Sequence, residues 1–336
     1  MINCKNSDET LVADSCLFLS IIIVNWNSGD WLKKCLQGVA EQTLIPDRVL
    51  LVDNGSTDSS LAGVEDVLPC LEIIHNADNL GFAAANNIAL ERIDSCWTVL
   101  LNPDAVPEPD WLEKLIKVAE EHPDFDSFTC KMLDAANHER LDGTGDAYHT
   151  SGHAWRHGYG LDSNIGNESA TECFSPCAAA AMYHTDILKQ VGGFDERFFC
   201  YFEDVDLGFR LRLMGYRCLY VPQAIVAHAG SATTAKRSDF SVYYGHRNMV
   251  WTYVKNMPWP LFWFYLPQHI LVNIVSIFVL ALRGQGRVAL RAKYDAIREI
   301  RPVLQDRRVV QKNRRVRVMD LRDSMTKGFA MLLKRV

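Results

Sequence analysis

Four short segments carry side chains whose types and spacing could do chemistry. In the first, Val52-Asp53-Asn54-Gly55-Ser56-Thr57-Asp58, an acid ends an apolar run and a Gly/Ser turn follows. A carboxylate so placed can accept hydrogen bonds from a ribose or a base while the small turn residues let the ligand come close. Read alone, the same residues make an Asx turn in front of a helix. In the second, Asn79-Leu80-Gly81-Phe82-Ala83-Ala84-Ala85-Asn86-Asn87, a glycine precedes a helix N-terminus, where free N–H groups can receive an anion. The third, Asn102-Pro103-Asp104, presents a carboxylate at the end of an apolar run. It suits Mg2+ or Mn2+, which take oxygen ligands and substrate phosphates, although Asn-Pro-Asp is also ordinary turn chemistry. In the fourth, Glu203, Asp204 and Asp206 crowd the start of a helix whose spacing runs to about residue 214 and stops at Gly215. A helix N-terminus stabilises carboxylates, so one of the three can be structural, but three exceed what capping needs. Crowded like charges make one of them easier to protonate, as a general base requires. His228 follows a strand at 217–221 and a turn at Pro222. A lone histidine on an apolar stretch is usually a core residue, and this one gains weight only from its company.

These groups need a scaffold, and the first 230 residues alternate strand and helix patterns. Residues 17–25 form a continuous β-branched run suited to a strand buried on both faces. Residues 29–42 follow with helical spacing at Trp31, Leu32, Cys35, Leu36 and Val39, and 48–52 form a second strand ending at Asp53. A short strand at 72–75, an Ala/Asn-rich helix at 82–93 and a strand at 96–101 lead to Asn102. A helix over 110–121, capped by Asp110, buries Trp111, Leu112, Leu115, Ile116 and Ala119. This order predicts an α/β fold with a mostly parallel sheet and helices on both faces. Ligands bind such sheets beyond the carboxyl ends of the strands, where Asn25, Asp53 and Asp104 stand. Residues 137–168 break the pattern with six glycines, among them Gly143, Gly145 and Gly152, and read as a mobile, substrate-facing loop. His149, His153 and His157 stand four apart there, but the glycines between them deny the helix that a zinc face would need.

The chain has 336 residues, 48% apolar and 23% charged, ample for a packed core and incompatible with a disordered or fibrous chain. Ten cysteines without a C-x-x-C read as reduced thiols, not as a zinc ribbon or a disulfide scaffold. Residues 1–16 read as a polar extension, unlike a secretory signal. The net charge of −6 hides a division: residues 283–336 hold 16 Lys/Arg against 5 Asp/Glu, a net of +11, leaving −17 for residues 1–282. Just before the switch lies the apolar run 259–282, with Trp259, Trp263 and Tyr265 clustered at one end as interfacial anchors do. An apolar run followed by a basic tail is attracted to an anionic membrane surface; a buried core helix or a nucleic-acid-binding tail are the competing readings. Pro267, Gln268, His269 and Asn273 interrupt the run, so an in-plane or re-entrant segment is expected rather than a span. No G-x-G-x-x-G follows the first strand and no G-x-x-x-x-G-K-[ST] is present, which argues against a dinucleotide-binding dehydrogenase and a P-loop ATPase.

The ordered set IIIVNWN, VDNGSTD, NLGFAAANN, LLNPDA, GGFDERFFCYFEDVDLGFR and GYRCLYVP…AHAGS resembles family-2 inverting glycosyltransferases of the GT-A (Rossmann-like) fold. Within that family it is most similar to bacterial rhamnosyltransferases of cell-surface polysaccharide synthesis. The resemblance covers about residues 17–256, including the HRNMVWTYVKNMP segment from His246, and leaves 257–336 as a helical, membrane-associating region. It implies that Asp53 contacts the nucleotide, with Asn25, Asn54, Ser56, Asp58, Gly81, Asn87 and Asn102 lining the donor pocket. Asp104 matches the metal-binding acid of a DxD-type motif whose first acid is replaced here by Asn102. Asp204 of the Glu203-Asp204 pair matches the catalytic base, and His228 matches a histidine that some members use as a metal ligand. The implied cofactor is Mg2+ or Mn2+. The implied partners are a nucleotide sugar, dTDP-rhamnose favoured over UDP-sugars, a lipid-linked glycan acceptor and an anionic membrane, not nucleic acid. The implied location is the cytoplasmic face of the bacterial inner membrane, with self-association left open. A membrane-attached scaffold that binds a nucleotide sugar without turning it over is the non-enzymatic alternative.

Overall fold

The computed structural model describes residues 18–165, 169–230 and 238–328; the expected extension at 1–16 lies outside the described residues. The chain runs β1 (Leu19–Asn25), α1 (Asp30–Ala40), β2 (Arg48–Asn54), β3 (Leu71–Asn76), α2 (Phe82–Leu90), β4 (Trp97–Leu101), β5 (Ala105–Pro107) and α3 (Trp111–Glu121). It continues with β6 (Ser127–Asp134), β7 (Asn137–Gly143), β8 (Asp146–Tyr148), β9 (Ala154–Arg156), β10 (Thr171–Cys173), β11 (Ala180–His184), α4 (Thr185–Gln190), α5 (Glu203–Met214) and β12 (Cys218–His228). Five helices close it: α6 (Asp239–Asn256), α7 (Trp259–Leu282), α8 (Gly286–Arg298), α9 (Ile300–Lys312) and α10 (Val318–Ser324). The main sheet has the order β10-β12-β6-β11-β4-β1-β2-β3. β4, β1, β2 and β3 are mutually parallel, with α1 joining β1 to β2, α2 joining β3 to β4, and a non-helical crossover joining β2 to β3. β11 enters antiparallel between β4 and β6, so the sheet as a whole is mixed.

The continuous apolar runs follow from burial on both faces. Ile21 and Ile23 of β1 and Val49 and Leu51 of β2 pack with α1 and α3 on one side. Ile22, Val24, Leu50 and Val52 pack with α2 and α5 on the other, so the middle of each strand, Ile21–Val24 and Val49–Val52, is apolar throughout and the polar residues fall towards the strand ends. α3 buries the five side chains its spacing required. Asp110 occupies its N-cap position without a capping hydrogen bond; its carboxylate pairs instead with Lys114, one turn on, at 2.7 Å. The glycine-rich stretch expected as a loop contains β7 and the β8–β9 hairpin, because alternate side chains such as Leu141 and Tyr148 have a core to face. β12 does not stop at Pro222 but passes it through a bulge between Val221 and Ile225 and runs on to His228. A bulge is where a strand tolerates proline.

The C-terminal helices pack on this unit. Tyr253, Met257, Leu261, Leu321 and Met325 share a core with Tyr148, Phe174, Val205, Phe209 and Leu213. α7 is continuous through Pro267, and its amphipathicity is reversed. Its polar interruptions face the protein: His269 bonds the Ser151 carbonyl at 2.7 Å, Gln268 accepts from Thr150 at 3.2 Å, and Ser276 bonds back to Val272. Trp263, Phe264, Ile270, Leu271, Ile274, Val275, Phe278 and Leu282 form the exposed stripe, Phe264 and Leu282 each about three-quarters exposed.

Candidate active site

β1 and β2 end side by side, with Asn25 opposite Asp53. Asn25 is fully buried and its amide donates to Asp53 (3.2 Å), Ser56 (3.0 Å) and Ser60 (3.0 Å). The Asn25 side chain therefore shapes the turn after β2 from within. Asp58 does the same from outside, accepting from the Gly29 N–H at 2.9 Å and the Ser60 hydroxyl at 2.6 Å. Asn54 ties that turn to the next one: its amide donates to Asn79 at 2.9 Å and its carbonyl accepts from the Leu80 N–H at 3.1 Å. Gly81, at φ +87°, leaves no room for a side chain, since a Cβ there would lie 2.6 Å from the Phe199 ring. Its close approach is thus to the 199–202 loop. Asn87 clamps the turn before that loop, bonding Phe194 through both its N–H and its carbonyl at 2.9 Å each.

Asp104, one turn beyond β4, meets His228 at the end of β12. Asp104 Oδ1 and His228 Nε2 are 3.3 Å apart and both side chains are buried. The Asn102 amide lies 3.4 Å from the same nitrogen. On the far side of the ring, His228 Nδ1 bonds Asp142 Oδ2 at 2.7 Å, and Asp142 pairs with Arg156. Burial pulls His228 down, but hydrogen bonds to Asp104 and Asp142 carry it above its usual value. With Nδ1 committed to Asp142, Nε2 is the nitrogen presented beside Asp104, and an oxygen and an imidazole side by side form a donor set that fits Mg2+ or Mn2+. A carboxylate that holds the far nitrogen of a ligand histidine fixes both its orientation and its tautomer. Asp142→Asn is accordingly expected to weaken Mn2+ binding by roughly 10–100-fold, measured by direct Mn2+ titration in the presence of a nucleoside diphosphate. An unchanged Mn2+ affinity would remove Asp142 from that role.

The three acids of α5 separate by environment. Asp206 is wholly buried and receives Arg210 (2.8 Å), Lys255 (2.9 Å) and Asn256 (2.7 Å), which makes it the structural member that joins α5 to α6. Glu203 is buried with Oε2 unpartnered. Burial, then the Asp204 charge, pushes its carboxyl far above the usual range. Asp204 is raised too, by burial, but backbone N–H groups of Ala178 (3.3 Å) and Val205 (2.8 Å) support its ionised form. Of the adjacent pair, Asp204 is the one built to carry charge and Glu203 the one built to stay neutral. Asp146 and Cys177 place ligand atoms within 4.8 Å of Asp204. The backbone that delivers the pair is strained: Phe199, Tyr201 and Phe202 have φ of 65°, 65° and 69°, each unfavourable for a residue with a side chain. Asn248 of α6 holds them there, its amide donating to the carbonyls of Phe198 (2.9 Å), Cys200 (3.0 Å) and Tyr201 (2.7 Å).

One cavity of about 780 Å³ is lined by Asn54, Gly81, Asn102, Asp104, Glu203, Asp204 and His228. Asn25, Asp53, Ser56, Asp58 and Asn87, expected at the donor pocket, are not among its lining residues; they act through the hydrogen bonds already described, with Asp53 buried beside Asn25 and Asp58 exposed. The sequence reading passed over Asp142, Asp146, Arg156 and Asn248. His149 and His157 bond Ser151 and Thr144 respectively, so among the described residues the histidine trio does not gather into a metal site.

A model of glycosyl transferase family 2 matches residues 20–192, just over half of the chain. An N-acetylglucosaminyl-diphospho-decaprenol L-rhamnosyltransferase of Mycobacterium tuberculosis is 27% identical over 241 residues, covering 65% of this chain and 78% of that protein. The O-antigen chain rhamnosyltransferase RfbN of Salmonella typhimurium is 23% identical over 236 residues, covering 67% of this chain and 70% of its own. Among solved structures, the mannosyltransferase PcManGT from Pyrobaculum calidifontis, in complex with GDP-Man and Mn2+, superposes with a TM-score of 0.53 at 18% identity, covering 92% of this chain and 89% of that one. With a GT-A-like sheet and its crevice at the strand ends, the chain belongs to glycosyl transferase family 2.

Proposed function

We propose that this glycosyltransferase moves a sugar, with inversion and with the help of a divalent cation, from a nucleotide-sugar donor to a hydroxyl of a lipid-linked glycan. The observation that carries this reading is that the Asp104–His228 pair and the Glu203–Asp204 pair open onto one cavity. Asp104 and His228 would hold the cation, with Asp142 orienting the imidazole. A divalent ion so held offsets charge that grows on a leaving diphosphate, worth several kcal/mol. Asp204 takes the proton of the acceptor hydroxyl as that oxygen attacks the anomeric carbon from the face opposite the nucleotide. Glu203, kept neutral, leaves Asp204 as the single negative acceptor beside the reacting oxygen. The likeness to two rhamnosyltransferases supports rhamnose, carried by dTDP, as the sugar. A panel of nucleotide sugars tested with and without Mn2+ for protection against thermal unfolding is expected to show the largest shift for dTDP-rhamnose with Mn2+. A larger shift from a UDP-sugar would reassign the donor, and no shift from any sugar nucleotide would sink the reading.

The reversed amphipathicity of α7, with the basic residues that follow it, supports docking in the plane of an anionic membrane at its cytoplasmic face. Its polar side is occupied by the protein, so the exposed apolar stripe is the part left to meet acyl chains. Burying a large apolar side chain is worth about 1.5–3 kcal/mol. Trp263→Glu combined with Phe278→Glu is therefore expected to lower partition into phosphatidylglycerol vesicles by about a hundredfold or more. Partition equal to that of the unaltered protein would dismiss the stripe as a membrane face.

A further inference from the structure

The cavity continues past the catalytic pairs. Its other end is walled by His153 and Tyr159 of the β8–β9 region, by Ser241, Val242, Gly245 and His246 of α6, and by Leu280 and Arg283 at the end of α7. The chemistry changes sign along it. Asp104 and Asp204 line it together with Asp142, Asp146 and the Arg156 that pairs with Asp142, whereas His153 and His246 act on one another and on Lys293, and Arg283 lines the cavity from the end of α7. Lys293 of α8 lies directly behind, donating to the His246 carbonyl at 2.6 Å. His246 Nδ1 is buried without a partner. Among the described residues no carboxylate acts on Lys293, which burial alone pushes down to about 7. Burial, then neighbouring positive charge, lowers His153 to about 4 and His246 to about 3. A lysine without a carboxylate beside it and an unpartnered imidazole nitrogen next to it are what an anion would satisfy, and a bound anion would favour the charged forms of all three groups. The apolar stripe of α7 ends at Leu282, next to Arg283, so a ligand seated here can keep a hydrocarbon tail in the bilayer.

We propose that this end of the cavity binds the phosphate group of a lipid-linked acceptor, with His153, His246 and Arg283 around its oxygens and the lipid leaving along α7. The inference rests on the transferase reading and adds where the acceptor is gripped. The charge gradient orients the acceptor: its anionic head is repelled by the carboxylates and drawn to the basic end, which leaves its sugar hydroxyl towards Asp204.

The test is binding of a fifteen-carbon prenyl diphosphate in detergent without divalent metal, so that Asp104 and His228 do not recruit the anion. The prenyl diphosphate is expected to bind more tightly than either inorganic pyrophosphate or the matching prenyl alcohol. Affinity for it should fall about tenfold or more in the His246→Gln, Arg283→Gln double variant, the loss expected of charge-assisted hydrogen bonds. Arg283 is exposed, so Arg283→Gln alone gives a second reading if replacement of His246 disturbs folding. Equal binding by wild type and by both variants would overturn the proposal. Pyrophosphate binding as tightly as the prenyl diphosphate would overturn the lipid source, and the alcohol binding as tightly would overturn the phosphate. Nucleotide-sugar hydrolysis by the wild type is followed alongside. Its absence, with prenyl diphosphate binding still sensitive to these substitutions, would remove the reaction and leave the phosphate site standing.

Discussion

Asp204→Asn is expected to lower turnover by roughly 10²–10⁴-fold, the range a positioned general base contributes, while nucleotide-sugar binding persists. The substitution is nearly isosteric and leaves the donor end of the cavity untouched. It does disturb the local hydrogen bonds: the two carboxylate oxygens accept from Ala178 and Val205 N–H groups, and an amide retains only one acceptor oxygen. One backbone donor then loses its partner, at a cost of about 1–3 kcal/mol in stability. Thermal unfolding should register this as a lowered midpoint, separable from catalysis because donor affinity is measured by titration on the folded variant. A loss of kcat with an unaltered donor dissociation constant is the signature of a group that acts only in the transition state. Full activity in the folded variant would take Asp204 out of the role. Glu203→Gln should cost far less, because burial and its neighbour already keep that carboxyl neutral.

The same geometry sets a pH dependence. A general base works only when deprotonated, so rate falls as pH drops through its pKa. Burial raises Asp204, which moves that acid limb above the ordinary aspartate value of about 4. Wild-type kcat/KM should therefore begin to fall at a higher pH than an exposed aspartate would dictate, and Asp204→Asn should flatten the limb. A limb that survives the substitution belongs to another group.

The parts of this fold that were legible in the sequence are those whose burial is repetitive. β1 and β2 alternate between two cores, so both of their faces read as apolar, and α3 repeats at helical spacing. β11, Ala180–His184, escaped because its small alanines sit between two strands that supply the bulk. The site divides in the same way. Asp104, Asp204 and His228 could be proposed from local motifs, since each stands at the end of an element. Asp142 could not, because its meaning lies in His228, 86 residues on, with which it shares a bond. Asp206 reads as one more acid of a catalytic cluster, whereas Lys255, some 50 residues away, neutralises it together with Arg210, and Asn256 hydrogen-bonds it. The positive φ angles at Phe199, Tyr201 and Phe202 left no trace in composition, because no glycine marks them. Asn248, which holds them, stands in a helix with many other polar residues and so does not mark itself out either.

Asp104→Ala is expected to abolish the metal-dependent part of nucleotide binding. The cost should exceed the roughly 10–100-fold that loss of an outer-shell partner such as Asp142 produces, because a direct ligand and its charge are removed together. The two substitutions act on one assembly, Asp104–His228–Asp142–Arg156, and so should not be additive. With Asp104 gone, His228 Nε2 keeps its orientation through Asp142 but has no oxygen ligand beside it. Asp142→Asn in that background then has little left to weaken. Titration of UDP or dTDP into each variant, with Mn2+ and with a chelator, separates the terms. The wild type should bind far more tightly with Mn2+. Asp104→Ala should show the same weak affinity under both conditions, and the double variant should match it. If Asp104→Ala retained a Mn2+-dependent gain, the cation would have to be held elsewhere. The Asp146–Cys177–Asp204 group, whose ligand atoms also lie within reach of one another, would then be the site to test, and the separation of metal and base on which the proposed reaction depends would collapse.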